Sequence, residues 1–267
     1  MKYLLFGLLM AAIFISCDNQ NESSDIEIVD EDRSAAELSY IETSQALLQA
    51  LRDDNPTDEY TQKLANVSQA DLNAELQTDE EKLAFWVNVY NSYIILTLAD
   101  NPDLYNDRNE FFKKDQVQIA GETLSFDKIE HGIIRNSTVK LSKGYLPDIF
   151  PGEFEKEFRV EEIDPRIHFV LNCGAKDCPP VYIYSPETLD EDFNQVASAY
   201  LNRVSTFDIE NNIVKTTPLF NWFTGDWGGK DGVKDMLHQY EILPAEHEDV
   251  EIEWKGYDWT MDIDNFG

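Results

Sequence analysis

The chain has 267 residues, 52 Asp and Glu against 21 Lys and Arg, and a formal net charge of -31. That balance excludes nucleic acid as a partner, because phosphate recognition needs a clustered basic face, and argues against broad electrostatic docking onto anionic lipid. With 42% hydrophobic and 12% aromatic residues, the chain has ample material for a packed core and is not globally disordered.

Met1-Lys2-Tyr3 followed by the apolar run Leu4 to Ile15 has the charge order and length of a secretory signal, too short for a membrane anchor. Phe14-Ile15-Ser16-Cys17 then resembles the lipobox of bacterial lipoproteins, with Phe14 where Leu is more usual. Residues 1–16 therefore read as a signal peptide and Cys17 as the lipidated first residue. The membrane is an expected partner through Cys17 only. This places the protein in the bacterial cell envelope, at the outer membrane, with its periplasmic or surface face left open. Residues 17–33 hold seven acids and no aromatic residue, the composition of a disordered tether; an acidic stretch at this position resembles the surface-export signals of some bacterial lipoproteins.

Residues 34–267 read as a single globular domain. Leu38, Ile41, Leu47, Leu48 and Leu51 predict an amphipathic helix over Ala36–Ala50, and a weaker one follows over Asp58–Val67. Thr78 with Glu81 forms a capping box. The helix it opens, Glu80–Ala99, is apolar on nearly every face, which places it inside a domain. After a loop at Asn101–Asn109, Gln116–Ile119 reads as a strand with a turn at Gly121-Glu122, and Ser125 caps a helix to about Arg135. Ile167–Cys173 reads as a buried strand, and Val181–Tyr184 as extended chain. Ser185-Pro186 starts a helix to about Arg203. Ile213–Thr217 and Val250–Trp254 are expected strands flanking a helix at Asp231–Tyr240. The sum is an α+β fold, a helical N-terminal half packed on a mixed or antiparallel sheet with further helices.

Chemistry concentrates in few places. On a helix, Asp127, His131 and Arg135 fall on one stripe, and Asp127 or Glu130 could orient His131 as a general base; a plain salt-bridge stripe is the alternative. In Arg166-Ile167-His168-Phe169-Val170-Leu171-Asn172-Cys173, strand alternation sets His168 and Asn172 on the face opposite Cys173. His131 is then the better base for Cys173. Cys173 and Cys178 are equally open as a disulfide, and Cys173 as an inert buried thiol, a nucleophile or a metal ligand. The spacing fits no common zinc site. Asn88 and Asn91, amides on an apolar helix, serve either as struts to loop backbone or as donors lining a polar pocket. Leu219–Gly229, rich in aromatics, reads as a lid or a buried corner.

Four motifs occur in one order: Leu83-Ala84-Phe85-Trp86-Val87-Asn88-Val89-Tyr90-Asn91; Ile129-Glu130-His131-Gly132-Ile133-Ile134-Arg135; Asp164-Pro165-Arg166-Ile167-His168-Phe169-Val170-Leu171-Asn172-Cys173-Gly174-Ala175 with Cys178-Pro179-Pro180; and Tyr257-Asp258-Trp259. Over Leu72–Met261 this series resembles the DUF547 family (domain of unknown function 547). The resemblance implies a family that includes envelope lipoproteins and plant proteins with an added coiled coil. It marks Asn88, Asn91, His131, Arg135, Arg166, His168, Asn172, Cys173 and Cys178 as motif positions. It implies no activity.

Two functions remain open. One is a cysteine-dependent hydrolase or acyl transferase, with Cys173 as nucleophile, His131 as base, Asp127 or Glu130 as orienter, and Asn88, Asn91, Arg135, Arg166, His168 and Asn172 as binding groups. The other is a lipid-anchored binding or scaffolding module with a structural Cys173–Cys178 pair. Neither calls for a cofactor or a metal.

Overall fold

A computed structural model describes residues 33–247 and 249–267; the expected signal segment, Cys17 and most of the tether lie outside the described residues. The first expected helix is divided. A 3-10 turn covers Ala35–Glu37, and helix α1 runs from Tyr40 to Arg52. The division is local chemistry: Ser39 accepts from Glu42 N while the Glu42 carboxyl accepts from Ser39 N, a capping box that restarts the helix. Helices α2 (Asp58–Asn66) and α3 (Gln69–Glu75) follow. Glu75 then caps α1 from outside, taking Tyr40 N and Ile41 N at 2.9 and 2.8 Å.

Helix α4, Asp79–Asp100, starts at the Thr78 capping box and is buried along most of its length. It is the axis of the larger core. Trp86 meets Phe85, Phe154 and Phe158 edge-on, and Tyr90 meets Phe126. Each such side chain contributes about 1.5–3 kcal/mol by leaving water, and their unlike orientations fix how neighbouring segments sit.

The loop expected at Asn101–Asn109 is instead a 3-10 segment, Pro102–Asp107, with helix α5 behind it (Arg108–Lys113). Pro102 at a first helical position and the Asp107 cap on Glu110 N supply the two starts. Strands β1 (Val117–Ile119) and β2 (Glu122–Leu124) pair antiparallel as a small hairpin. A short helix α6, Glu153–Phe158, delivers Phe154 and Phe158 to Trp86.

Ile167–Cys173 is not a strand. Pro165–Phe169 forms a 3-10 turn with Asp164 accepting from Arg166 N; Pro after a capping Asp starts a helical turn, and the apolar run is buried as that turn. Helix α7 spans Leu189–Val204, starting a turn beyond Ser185-Pro186. Strands β3 (Thr206–Asp208) and β4 (Ile213–Thr216) pair antiparallel, helices α8 (Leu219–Trp222) and α9 (Lys230–Gln239) follow, and β5 (Glu251–Trp254) joins β4 in parallel. The architecture is α+β, with two small separate sheets among the described residues where one was expected. A second core gathers Phe169, Phe220 and Trp227 under α7 and α9.

Candidate functional site

The segment holding His131 is wound as a π-helix, Lys128–Ile134, with Arg135 N bonded to Glu130 O. Such wider turns are rare and concentrate at functional sites. The winding alters the expected stripe but keeps its members close. Arg135 Nη1 lies 2.7 Å from His131 Nδ1. A guanidinium can only donate, so Nδ1 accepts, and the neutral imidazole carries its proton on Nε2. Burial and the Arg135 charge lower the His131 pKa from its ordinary 6.5 to about 3, against the pull of Asp127. His131 is therefore a neutral donor. Its Nε2 stands 3.8 Å from Asp127 Oδ1, and its Nδ1 stands 3.5 Å from Glu130 Oε1; these are not ion pairs in the neutral state. Asp127 instead pairs with Lys140 at 2.6 Å, and Glu130 accepts from the Tyr90 hydroxyl at 3.2 Å.

Arg135 is held from its other side by Asp226, whose Oδ2 and Oδ1 take Nε and Nη2 at 2.7 and 3.0 Å. Both side chains are fully buried. The same Asp226 Oδ2 lies 2.8 Å from His168 Nε2. Burial pushes the Asp226 carboxyl up, but the bonds from His168 and Arg135 outweigh it and its pKa is lowered. Burial also lowers the His168 pKa, more than Asp226 raises it, so His168 is a neutral ring donating Nε2–H to Asp226. It stacks on Phe223 at 3.8 Å. Asp226 thus fixes one imidazole directly and the other through Arg135, the orienting role a carboxylate plays behind a histidine.

Cys173 and Cys178 are joined as a disulfide. Around it the turn is built from amides. Asn172 donates to Pro179 O and accepts from Gly174 N, and its own N–H reaches Asn91 Oδ1, each at 2.8 Å. Gly174 takes φ +80°, a left-handed conformation that favours glycine, and a Cβ there would push on the Leu98 methyl at 2.8 Å. The C-terminal segment clasps the turn: Lys176 N bonds Thr260 O, Asp262 N bonds Gly174 O, and the Tyr257 hydroxyl reaches Cys178 Sγ at 3.2 Å. Burial pushes the Tyr257 pKa up, so that hydroxyl stays a donor.

A cavity of about 300 Å³ joins these parts. Its polar side carries Asp127, Glu130, His131 and His168, with Cys173 beside them; aromatic walls come from Trp222, Phe223, Tyr257 and Trp259. The structure therefore brings together five of the expected residues: Asp127, Glu130, His131, His168 and Cys173. Because Ile167–Cys173 is not a strand, the alternation that separated His168 from Cys173 does not apply.

Other expected residues work elsewhere. Asn88 spends both ends of its amide on the Tyr184 backbone, N–H and carbonyl, at 2.9 Å each. Asn91 ties Val170 O to Asn172 N. Both are buried struts rather than donors to a ligand. Arg166 pairs with Asp164 and Asp190 in a separate hollow. Arg135 and Asn172 stand behind the cavity. Asp226 and the aromatic wall were not singled out from the sequence as site residues, although the Leu219–Gly229 cluster contains Trp222, Phe223 and Asp226. Among the described residues no cluster of His, Cys, Asp and Glu could hold a metal ion, and no helix is long and apolar enough to cross a membrane.

Residues 74–201 match the family model described as "Protein of unknown function, DUF547". Over that stretch, just under half of the chain, the sequence is similar to the DUF547 family. The matched stretch supplies Glu130, His131, His168 and both cysteines, whereas Asp226, Trp222, Phe223, Tyr257 and Trp259 lie beyond it. In this chain the matched stretch contributes the polar side of the cavity, and the residues after it contribute much of the aromatic wall. No curated protein and no solved structure matches the chain.

Proposed function

We propose that this protein is an envelope lipoprotein anchored through Cys17, whose DUF547 domain binds a small organic molecule between the aromatic wall and the His131–Glu130 side of the cavity. The observation that carries the reading is the fixed state of the polar groups. Arg135 occupies the His131 lone pair, so the ring offers a hydrogen-bond donor beside the Glu130 acceptor, and Cys173 is held in a disulfide. A donor and an acceptor preset against aromatic faces are what a binding pocket needs, and a volume of about 300 Å³ suits a compact ligand. A general base would need the lone pair that Arg135 takes.

The thiol-dependent hydrolase or acyl transferase remains a second reading, favoured by one observation: Cys173 and His131 border the same cavity. It requires an external thiol to reduce the disulfide, and a proton shift on His131 that frees a nitrogen toward the substrate.

The deciding experiment treats the folded, unreduced full chain with thiol reagent and with an activity-based cysteine probe, while a small-molecule set is screened by thermal shift. The binding reading expects no labelling at Cys173 or Cys178, and a ligand shift lost in Trp222→Ala and Glu130→Gln. Probe labelling of Cys173 without reductant, blocked by Cys173→Ser and by His131→Ala, would overturn it in favour of the hydrolase.

A further inference from the structure

The Cys173–Cys178 disulfide has two unlike ends. Cys173 is partly buried and borders the cavity, whereas Cys178 is fully buried and is not part of the lining. Two donors meet the Cys178 sulfur: the Cys173 N–H at 3.1 Å and the Tyr257 hydroxyl at 3.2 Å. The same hydroxyl makes only a longer contact, 3.8 Å, with Cys173 Sγ. A neutral disulfide sulfur is a weak acceptor, and an ionised acceptor is a strong one. Both donors therefore gain most when negative charge develops on Cys178. Thiol exchange on a disulfide is governed by which sulfur can be reached and by how well the other leaves. Here the reachable sulfur is Cys173, and the sulfur with hydrogen bonds waiting for its charge is Cys178.

From this we infer that the disulfide is a thiol-exchange site, opened from the cavity by a compact thiol whose other groups are neutral or cationic. The incoming thiolate forms a bond to Cys173 Sγ as the Cys173–Cys178 bond breaks, and the electron pair of that bond leaves on Cys178 Sγ. The product is a mixed disulfide on Cys173 and a thiolate on Cys178, so one disulfide replaces another with no net oxidation. The thiolate that attacks is formed in solution, because Arg135 occupies the His131 lone pair that could take its proton. Backbone bonds hold the turn without the S–S bond: Cys178 N to Ala175 O, Lys176 N to Thr260 O and Asp262 N to Gly174 O, at 3.0, 2.8 and 2.9 Å. The Cys178 thiolate thus stays beside Cys173 and can reclose the bond by expelling the thiol. The class of thiol follows from the lining, which carries two carboxylates, Asp127 and Glu130, against one ammonium, Lys140. With both imidazoles neutral, an added anionic group is disfavoured there and a cationic one is favoured. A volume of about 300 Å³ limits the size. The inference rests on the proposed binding function in one respect, that the cavity admits a compact molecule.

The test treats the unreduced full chain in turn with cysteamine, mercaptoethanol and mercaptoethanesulfonate. Acid quenching and peptic mapping by mass then locate each adduct, with Cys17 read on its own peptide. The expected result is the added thiol on Cys173 and a free thiol on Cys178, whereas the urea-unfolded chain gives both isomers. Each thiol's rate on the folded chain, divided by its rate on the unfolded chain, should fall from cysteamine to mercaptoethanol to the sulfonate. Tyr257→Phe removes one donor from the leaving sulfur and should slow opening about 10-fold. A purely structural hydroxyl gives the opposite sign, because a loosened turn exposes the disulfide and lets it open faster. Adducts divided between the two cysteines of the folded chain, a flat or reversed order of thiols, or a Tyr257→Phe rate at or above wild type each overturn the inference. If a compound from the thermal-shift screen binds while no thiol opens the bond, the exchange falls and the proposed binding function stands. If no compound binds and no thiol reacts, both fall.

Discussion

Replacing His131 with Asn should flatten the acid side of the protein's stability profile. The ring is neutral in the fold, with its pKa lowered from 6.5 to about 3, whereas in the unfolded chain it titrates near 6.5. The unfolded state therefore takes up a proton that the folded state refuses. The stability this group contributes is fully present above pH 6.5 and is lost as pH falls from 6.5 toward 3. The slope for one proton is about 1.4 kcal/mol per pH unit, so the loss approaches about 2 kcal/mol by pH 5 and has a ceiling near 5 kcal/mol. His168, whose pKa is also lowered by burial, adds a contribution of the same sign.

The wild-type curve alone is not the right readout. Acidification toward the pI of about 4.2 relieves repulsion among the acidic side chains and stabilises the fold, in the opposite direction. The difference between His131→Asn and wild type cancels that background. Asn offers an oxygen near the position of Nδ1 for Arg135 and takes up no proton. Urea unfolding at pH 7 and pH 5 should show wild type losing about 2 kcal/mol more than the variant over that interval. Equal changes in the two proteins would refute the buried neutral state of His131, as would an imidazole NMR titration of the folded protein with a midpoint near 6.5 for His131.

Asp226→Asn leaves the Arg135 guanidinium, fully buried, without its charge partner, and should cost about 3–5 kcal/mol in urea unfolding; a combined Arg135→Met and Asp226→Leu variant should recover much of that loss. Asn88→Leu strands the Tyr184 N–H, while the Tyr184 carbonyl keeps its bond from Gln45; it should destabilise by about 1–3 kcal/mol, seen as a lower urea midpoint. Gly144→Ala places a methyl against Asp226 at a left-handed φ of +92°; it should lower the thermal midpoint by several degrees and weaken the ligand shift, because Asp226 moves with it.

Much of the helical framework was legible from sequence because its signals are local. Thr78 with Glu81 marks the start of α4, and the all-round apolar pattern behind it marks the burial that α4 shows. The failures have a common form. Ile167–Cys173 has the composition of a buried strand, but composition reports burial and not winding, and Asp164-Pro165 set a helical turn there. The π-winding of Lys128–Ile134 is invisible to a 3.6-residue period, and it is this winding that accompanies Arg135 folding back to His131.

The same limit explains why the site was half read. His131, Glu130, Asp127, His168 and Cys173 stand out because titratable and thiol side chains are scarce or suggestively spaced along the chain. Asp226 does not, being one of 52 acidic residues. What distinguishes it is a position reached only in three dimensions, where Gly144 and Gly225 let two loop backbones close over it and leave its carboxylate bridging Arg135 and His168. In a chain this acidic, charge identifies no single residue. The carboxylate that matters is one whose side chain the fold has buried completely against a buried guanidinium, because there losing a partner costs several kcal/mol and the pairing holds two imidazoles in one protonation state.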